Sequence, residues 1–169
     1  GIGDVKSTVT IKVFSSLTCP AFANFHSKIF YHIKEEFIDK GLVRFEHHPF
    51  PLDLAALNAE MIVRCHVDNI KKFELLGKIY EKQKLRAVGS DINKINDSIK
   101  KIGLESNLNN NDMDVCLKDE NKQDEILNQR IDAQKKYEIG STPTILINEK
   151  KYKGKVEYSE FKKVLEKNL

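Results

Sequence analysis

Apolar and polar residues alternate with a period of two near both ends of the chain, and this pattern predicts β-strands there. Near the start, VTIKVF covers residues 9–14, and LVRFEHH covers residues 42–48 before two prolines stop it. Near the end, TILINE at residues 144–149 and KYKG at residues 151–154 are typical of a hairpin. Two pairs of strands are therefore predicted, separated by about half of the chain.

The segment between the first two strands predicts a helix. Its apolar residues recur at spacings of three and four and so form one face: Phe22, Phe25, Ile29, Ile33 and Phe37. Pro20 suits the first helical turn, and Gly41 is a natural C-terminal cap.

The pattern is helical throughout residues 53–137. Longer helices are predicted at residues 55–67, 70–84, 91–103 and 119–140. A polar loop, SNLNNNDMD, precedes a short helix that contains Val115 and Cys116, with Asp112 or Asp114 as its cap. YSEFKKVLEKN closes the chain as an amphipathic helix. The predicted order is β–α–β, a helical block, and then β–β–α.

Composition narrows the class of protein. A chain of 169 residues, 40% hydrophobic and 31% charged, is typical of one soluble domain with an insertion. The net charge is only +3 and the lysines are interspersed with acids, so a nucleic-acid partner is not expected. No apolar run reaches the length of a membrane span. The first six residues do not form a signal peptide, and the start without Met predicts a mature or trimmed form.

The first candidate for chemistry is Cys19, in the sequence Thr18-Cys19-Pro20 that follows the first strand. A cysteine at the start of a helix faces unpaired backbone N–H groups and the positive end of the helix dipole. Both favour the nucleophilic thiolate over the thiol. The alternative is a buried structural cysteine that happens to precede a proline.

The second candidate is Pro143, which follows Thr142 at the start of a late strand. Proline cannot donate a ladder hydrogen bond, so it belongs at the beginning of a strand. A cis peptide bond there would expose the backbone of Thr142 for pairing with an extended polypeptide. The alternative is an ordinary strand-entry proline.

Five segments resemble, in the right order, the signatures of the DsbA family of thioredoxin-fold proteins, in particular its bacterial periplasmic members. The segments are VTIKVFSSLTCP, ANFH, FPLD, DMDVCLKDE and YEIGSTPTILIN. The resemblance implies an α/β protein with a thioredoxin fold and an inserted α-helical domain. It assigns residues 1–54 and 138–169 to the thioredoxin-like domain and residues 55–137 to the insertion.

The resemblance also implies roles for individual residues. Cys19 becomes the nucleophile, and Thr142 and Pro143 become the cis-proline loop that binds substrate. Cys65 and Cys116 become a structural disulfide, which implies an oxidising, periplasmic location. The alternative is two free buried cysteines in a cytosolic protein. The implied partners are unfolded or extended polypeptides, with a small thiol or a membrane redox partner, and no cofactor.

The chain departs from the family at the active-site motif, which is C-P-H-C in the family and Cys19-Pro20-Ala21-Phe22 here. Ala21 lacks the imidazole that helps to stabilise the thiolate, and Phe22 cannot resolve a mixed disulfide. A two-cysteine oxidase is therefore not expected. Deliberate alteration to trap complexes would normally use Ser or Ala in place of a cysteine, so Ala-Phe favours natural divergence.

Two functions remain open. One is thiol–disulfide exchange through a single cysteine, in the manner of an isomerase or reductase. The other is a redox-inactive module that binds extended chains, in which Phe22 would extend an apolar surface beside Cys19. Phe22 also continues the spacing of the helical stripe, and this register favours a buried position at the start of that stripe.

The histidines predict no metal site. The five are His26, His32, His47, His48 and His66. No spacing among them resembles a zinc site, and adjacent strand residues such as His47 and His48 point to opposite faces. The sequence also has no Gly-rich phosphate loop and no G-x-S-x-G motif.

Overall fold

The computed structural model describes residues 1–82 and 91–169 and has a four-stranded sheet with helices around it. The strands are β1 (Val9–Ser15), β2 (Val43–Pro49), β3 (Thr144–Ile147) and β4 (Lys150–Lys151). Their order in the sheet is β2-β1-β3-β4. β1 pairs in parallel with β2 and antiparallel with β3, and β4 pairs antiparallel with β3 at the edge. The central strand β1 therefore joins the early and late parts of the chain.

The first helical segment begins directly after the loop that follows β1. It consists of α1 (Pro20–Phe25), a π-helical turn (His26–Phe30), α2 (Tyr31–Ile33) and a second π-helical turn (Lys34–Ile38). Gly41 follows it with a φ of 72°, and its backbone N–H donates to the carbonyl of the last helical residue at 3.0 Å. Glycine suits this left-handed position because it has no Cβ.

In the described part of the middle segment, each helix begins with an acidic or amide side chain that caps it. The helices are α3 (Leu54–Val63), α4 (Asn69–Glu81), α5 (Ile92–Glu105), α6 (Asn110–Leu117) and α7 (Glu120–Tyr137). Their respective caps are Asp53, Asp68, Asp91, Asn109 and Asp119, and each accepts a backbone N–H of the first turn. α8 (Tyr158–Asn168) contributes Phe161 and Leu165 to the main core cluster near the end of the chain.

Several observed elements differ from the predicted ones. The hairpin strands are shorter than predicted, because Asn148 and Glu149 form its turn with positive φ angles. Asn109 caps α6, so the expectation of Asp112 or Asp114 was wrong. Residues 83 and 84 of the second predicted helix lie outside the described residues.

The core fills the space between the sheet and the helices. The inward residues of β1, namely Val9, Ile11 and Val13, contribute to the main cluster together with buried residues of α1, α3, α4 and α8. A smaller cluster around Phe14 and Leu146 forms on the other side of the sheet. The end of β1, where Cys19 follows, is thus held by packing on both faces. The predicted domain boundaries after residues 54 and 137 stay a prediction.

Candidate active site

Cys19 lies in the loop after β1, at the residue where α1 begins. Its backbone N–H donates to the carbonyl of Ser16 at 2.9 Å. Its own carbonyl accepts from the N–H groups of Phe22 and Ala23 at 3.2 and 3.3 Å, which closes the first helical turn. The side chain is half-buried and is not in a disulfide. A local network of backbone hydrogen bonds therefore fixes the thiol at the start of a helix.

Thr142 and Pro143 lie beside this cysteine. The peptide bond between them is cis, and Sγ of Cys19 donates to the carbonyl oxygen of Thr142 at 3.7 Å. The pairing of Phe14 with Thr144 in the sheet brings the two segments together, because β1 leads into the cysteine loop and β3 follows Pro143. Two residues that are 123 positions apart in the sequence thus form one site.

Phe22, at the fourth position of the motif, faces the core. It is 1% exposed, stacks on Phe25 with 5.0 Å between ring centroids, and meets Tyr80 edge-on at 4.8 Å. The interpretation of Phe22 as the start of the buried stripe agrees with this position. The alternative, in which its ring extends an exposed surface beside Cys19, is wrong. Of the motif, Pro20 and Ala21 are exposed.

A hydrogen-bonded link between Thr18 and Asp53 was missed by the sequence analysis. The Thr18 hydroxyl donates to Oδ2 of Asp53 at 2.9 Å, and Oδ1 of Asp53 accepts from the backbone of Ala56 at 2.7 Å. The hydroxyl of Ser16 lies 3.1 Å from that of Thr18 and accepts from the backbone of Leu52 at 3.3 Å. The start of α3 therefore holds the residue before the cysteine.

Cys65 and Cys116 form a disulfide between the residues that follow α3 and those of α6. Their Cα atoms are 6.0 Å apart, and 51 positions separate them in the sequence. The chain has three cysteines, all in the described part, so Cys19 is its free thiol. Among the three cysteines of this chain, no second thiol remains to attack a mixed disulfide formed on Cys19.

The buried histidines make contacts of a structural kind. His26 is 3% exposed and stacks on Phe30. Burial, followed by the charge of His47, lowers its pKa to about 4. Nε2 of His47 lies 2.6 Å from the carboxylate of Glu60, and His66 contacts the Ser106 hydroxyl at 2.9 Å.

Within residues 1–82 and 91–169, no group of three or more His, Cys, Asp or Glu side chains is placed to hold a metal ion. No helix there is long and apolar enough to cross a lipid bilayer.

Comparison with known proteins agrees with this arrangement. Residues 1–167 match the family model described as thioredoxin. Disulfide bond formation protein D of Bacillus subtilis is 31% identical over 180 residues, which cover 99% of this chain and 76% of that protein.

Two crystal structures are similar over nearly the whole chain. α-DsbA1 of Wolbachia pipientis has a TM-score of 0.90 and 27% identity, and the match covers 98% of this chain and 88% of that one. A protein-disulfide isomerase from Novosphingobium aromaticivorans has a TM-score of 0.84 over 99% of this chain and 95% of that one; at 16% identity it shows the fold alone. The predicted fold class, a thioredoxin fold with inserted helices, is confirmed. The chain belongs to the thioredoxin family, within the branch of DsbA-type thiol–disulfide oxidoreductases.

Proposed function

We propose that this protein carries out thiol–disulfide exchange on extracytoplasmic polypeptides through Cys19 alone. One observation carries the proposal: a free, half-buried thiol at the start of a helix, with the Thr142 carbonyl 3.7 Å from its sulfur. The similarity to a protein named for disulfide bond formation supports the same chemistry.

The reaction needs two exchange steps. The Cys19 thiolate attacks one sulfur of a substrate disulfide, so a new S–S bond forms and the other substrate sulfur leaves as a thiolate. A thiolate of the same substrate then attacks the substrate sulfur of the mixed disulfide, and the Cys19 thiolate leaves. The substrate disulfide has moved, nothing is oxidised or reduced overall, and Cys19 is regenerated.

A small thiol gives the reductase-like variant of the same cycle. It attacks the Cys19 sulfur of the mixed disulfide and releases the substrate in its reduced form. A second small thiol then attacks the resulting disulfide and frees Cys19. Two small thiols have become one disulfide, and the substrate has gained two electrons and two protons.

The backbone of Thr142 is the proposed docking point for the substrate. The backbone carbonyl of Thr142 lies next to the sulfur of Cys19. The following residue, Pro143, has no N–H group, so it cannot donate a ladder hydrogen bond to a substrate strand in place of Thr142. An extended polypeptide that pairs with this backbone would bring its own disulfide to Cys19.

A two-cysteine oxidase has no support in this chain, because the position of the second motif cysteine holds the buried ring of Phe22. The disulfide between Cys65 and Cys116 favours an oxidising compartment, and we assign the protein to the periplasm on that ground.

A redox-inactive module that binds extended polypeptides is the second candidate. Ala21 and Phe22 favour it, because both replace residues that assist catalysis in the family motif. With Phe22 buried, such a module would use the backbone beside Pro143.

The test compares the protein with its Cys19→Ser variant in refolding a substrate protein whose disulfides have been scrambled. We expect recovery of the native substrate only with Cys19 present, and a mixed disulfide on Cys19 that mass spectrometry detects. The rate of alkylation of Cys19 should also exceed that of a cysteine in an unfolded peptide at the same pH. Equal recovery with both proteins would exclude the exchange enzyme and leave the binding module.

A further inference from the structure

A groove begins at Pro143 and runs along the hairpin of β3 and β4. Its volume is about 260 Å³, and six of its lining residues matter here: Pro143, Ile145, Lys151, Tyr152, Lys153 and Val156. Pro143, which lines the groove, directly follows Thr142, whose carbonyl contacts the sulfur of Cys19, so the groove begins next to the cysteine site. A polypeptide whose cysteine lies at Cys19 would place its neighbouring residues in this groove.

The lining of the groove is positively charged. It contains two lysines and no carboxylate. The ammonium group of Lys151 donates to the backbone carbonyl of Glu138 at 3.0 Å, and this partner carries no charge to neutralise it. Lys153 takes part in no ion pair within the described ranges. The segment KKYKGK, residues 150–155, adds two more lysines beside the groove.

Two acidic residues, Glu157 and Glu160, act on Tyr152. Burial raises the pKa of Tyr152, and the charges of Glu160 and Glu157 raise it further. Glu160 also pairs with Lys163 at 3.5 Å. Neither carboxylate lines the groove. The surface that a substrate would contact therefore combines lysine side chains with apolar ones.

We infer that this groove selects substrate polypeptides that carry acidic side chains next to the reacting cysteine. The inference rests on the proposed function for the identity of the occupant. It names Lys151 and Lys153 as residues that determine specificity, because their charges would meet a carboxylate that enters the groove next to the substrate cysteine. Lysine on an edge strand can also serve only to prevent pairing with other chains, and the test separates the two roles.

The experiment measures binding without thiol chemistry. Three fluorescent peptides share one sequence in which serine replaces the cysteine, flanked on both sides by Glu, Gln or Lys. Fluorescence anisotropy gives their dissociation constants at low and high salt. We expect the Glu peptide to bind about fivefold more tightly than the Gln peptide at low salt, as two exposed charge pairs would give. High salt should reduce the difference.

Two double variants decide whether these lysines are responsible. The variant K151Q/K153Q should lose the preference for the Glu peptide. The variant K94Q/K101Q makes the same change in net charge on α5 and should keep it, because neither lysine lines the groove. Absence of binding by all three peptides, equal affinities, or a preference that survives in K151Q/K153Q would each overturn the inference.

Failure of the proposed function has a different signature. If Cys19 supports no exchange but the Glu peptide is still preferred, the catalytic proposal falls and the inference stands for a binding module. If Cys19 supports exchange but the three peptides bind equally, only the inference falls.

Discussion

The carboxylate of Asp53 makes two hydrogen bonds at once: Oδ2 accepts the Thr18 hydroxyl at 2.9 Å, and Oδ1 accepts the Ala56 N–H at 2.7 Å. One side chain therefore caps α3 and fixes the residue that precedes Cys19. The two roles of Asp53, capping α3 and positioning the cysteine loop, can be separated by experiment. Other helices in the same segment have caps that do not contact this loop.

Asp53→Ala should lower the free energy of unfolding by about 1 kcal/mol through the lost cap. It should also change the alkylation rate of Cys19, with about a threefold rise as the loop loses one hydrogen bond. Urea denaturation and timed alkylation measure the two effects. Asp68→Ala is the matched control, because Asp68 caps α4 through the N–H groups of Ile70 and Lys71. A similar change in the alkylation rate in both variants would mean that Asp53 has no positioning role.

Phe22→Ala should be strongly destabilising, because the ring is buried against Phe25 and Tyr80. Removing a buried phenylalanine ring costs about 3–5 kcal/mol of unfolding free energy. Phe73→Ala, which removes a ring that is only partly buried, should cost less. Urea denaturation of both variants at one pH measures the difference. If Phe22→Ala cost no more than Phe73→Ala, the ring would not be part of the core.

His26 should make stability depend on pH. Burial lowers its folded pKa to about 4, whereas its unfolded pKa is about 6.5. The unfolded chain therefore binds the proton more readily, and stability is complete above pH 6.5 and falls as the pH drops toward 4. The loss at full protonation is about 3 kcal/mol.

Denaturation at pH 7 and at pH 4.5 measures this dependence. His26→Leu should show a smaller drop between the two pH values, whatever its absolute stability. Part of the drop should remain, because burial also lowers the pKa values of His48 and His66. An unchanged drop in His26→Leu would show that another group controls the acid sensitivity.

The disulfide between Cys65 and Cys116 should stabilise the fold without affecting the reactivity of Cys19. Its cysteines are 51 positions apart, and in the chain-entropy model a loop of that size is worth about 4 kcal/mol. Replacing both Cys65 and Cys116 by serine should lower the free energy of unfolding by about that amount. The alkylation rate of Cys19 in the folded state should stay unchanged, and Cys19→Ser gives the background for labelling. A large change in this rate would connect the disulfide to the active site.

The sequence predicted the elements of the site better than their contacts. The place of Cys19 at a helix start followed from local signals, namely a strand, a loop and Pro20. Its contact with Thr142 joins residues 123 positions apart and could be expected only through the resemblance to a family. Asp53 could be identified as a helix cap, but its bond to Thr18 depends on how α3 packs beside the loop.

The sequence pattern alone could not determine whether Phe22 is buried. Spacings of three and four placed it on the helical stripe, yet the first turn of a helix can lie at the edge of a core or within it. The π-helical turns that follow were not predicted, because apolar spacing does not distinguish them from regular helix. Its burial depends in part on Tyr80, which packs against the ring from a helix more than 50 positions later.

The antiparallel register of β1 and β3 has a consequence for engineering. Phe14 faces Thr144, and the cysteine loop and Pro143 lie just beyond this pair. The distance from the Cys19 sulfur to the Thr142 carbonyl therefore depends on the register of two neighbouring strands. A slip of one residue would shift β3 by about 3.3 Å along β1 and turn its side chains to the opposite faces of the sheet. Among the helices between them, α3 contacts the cysteine loop through Asp53 and α4 packs on Phe22 through Tyr80. We expect that α5 and α6 can be exchanged for those of a relative while the spacing between the Cys19 sulfur and the Thr142 carbonyl is kept, provided that α3 and α4 are retained.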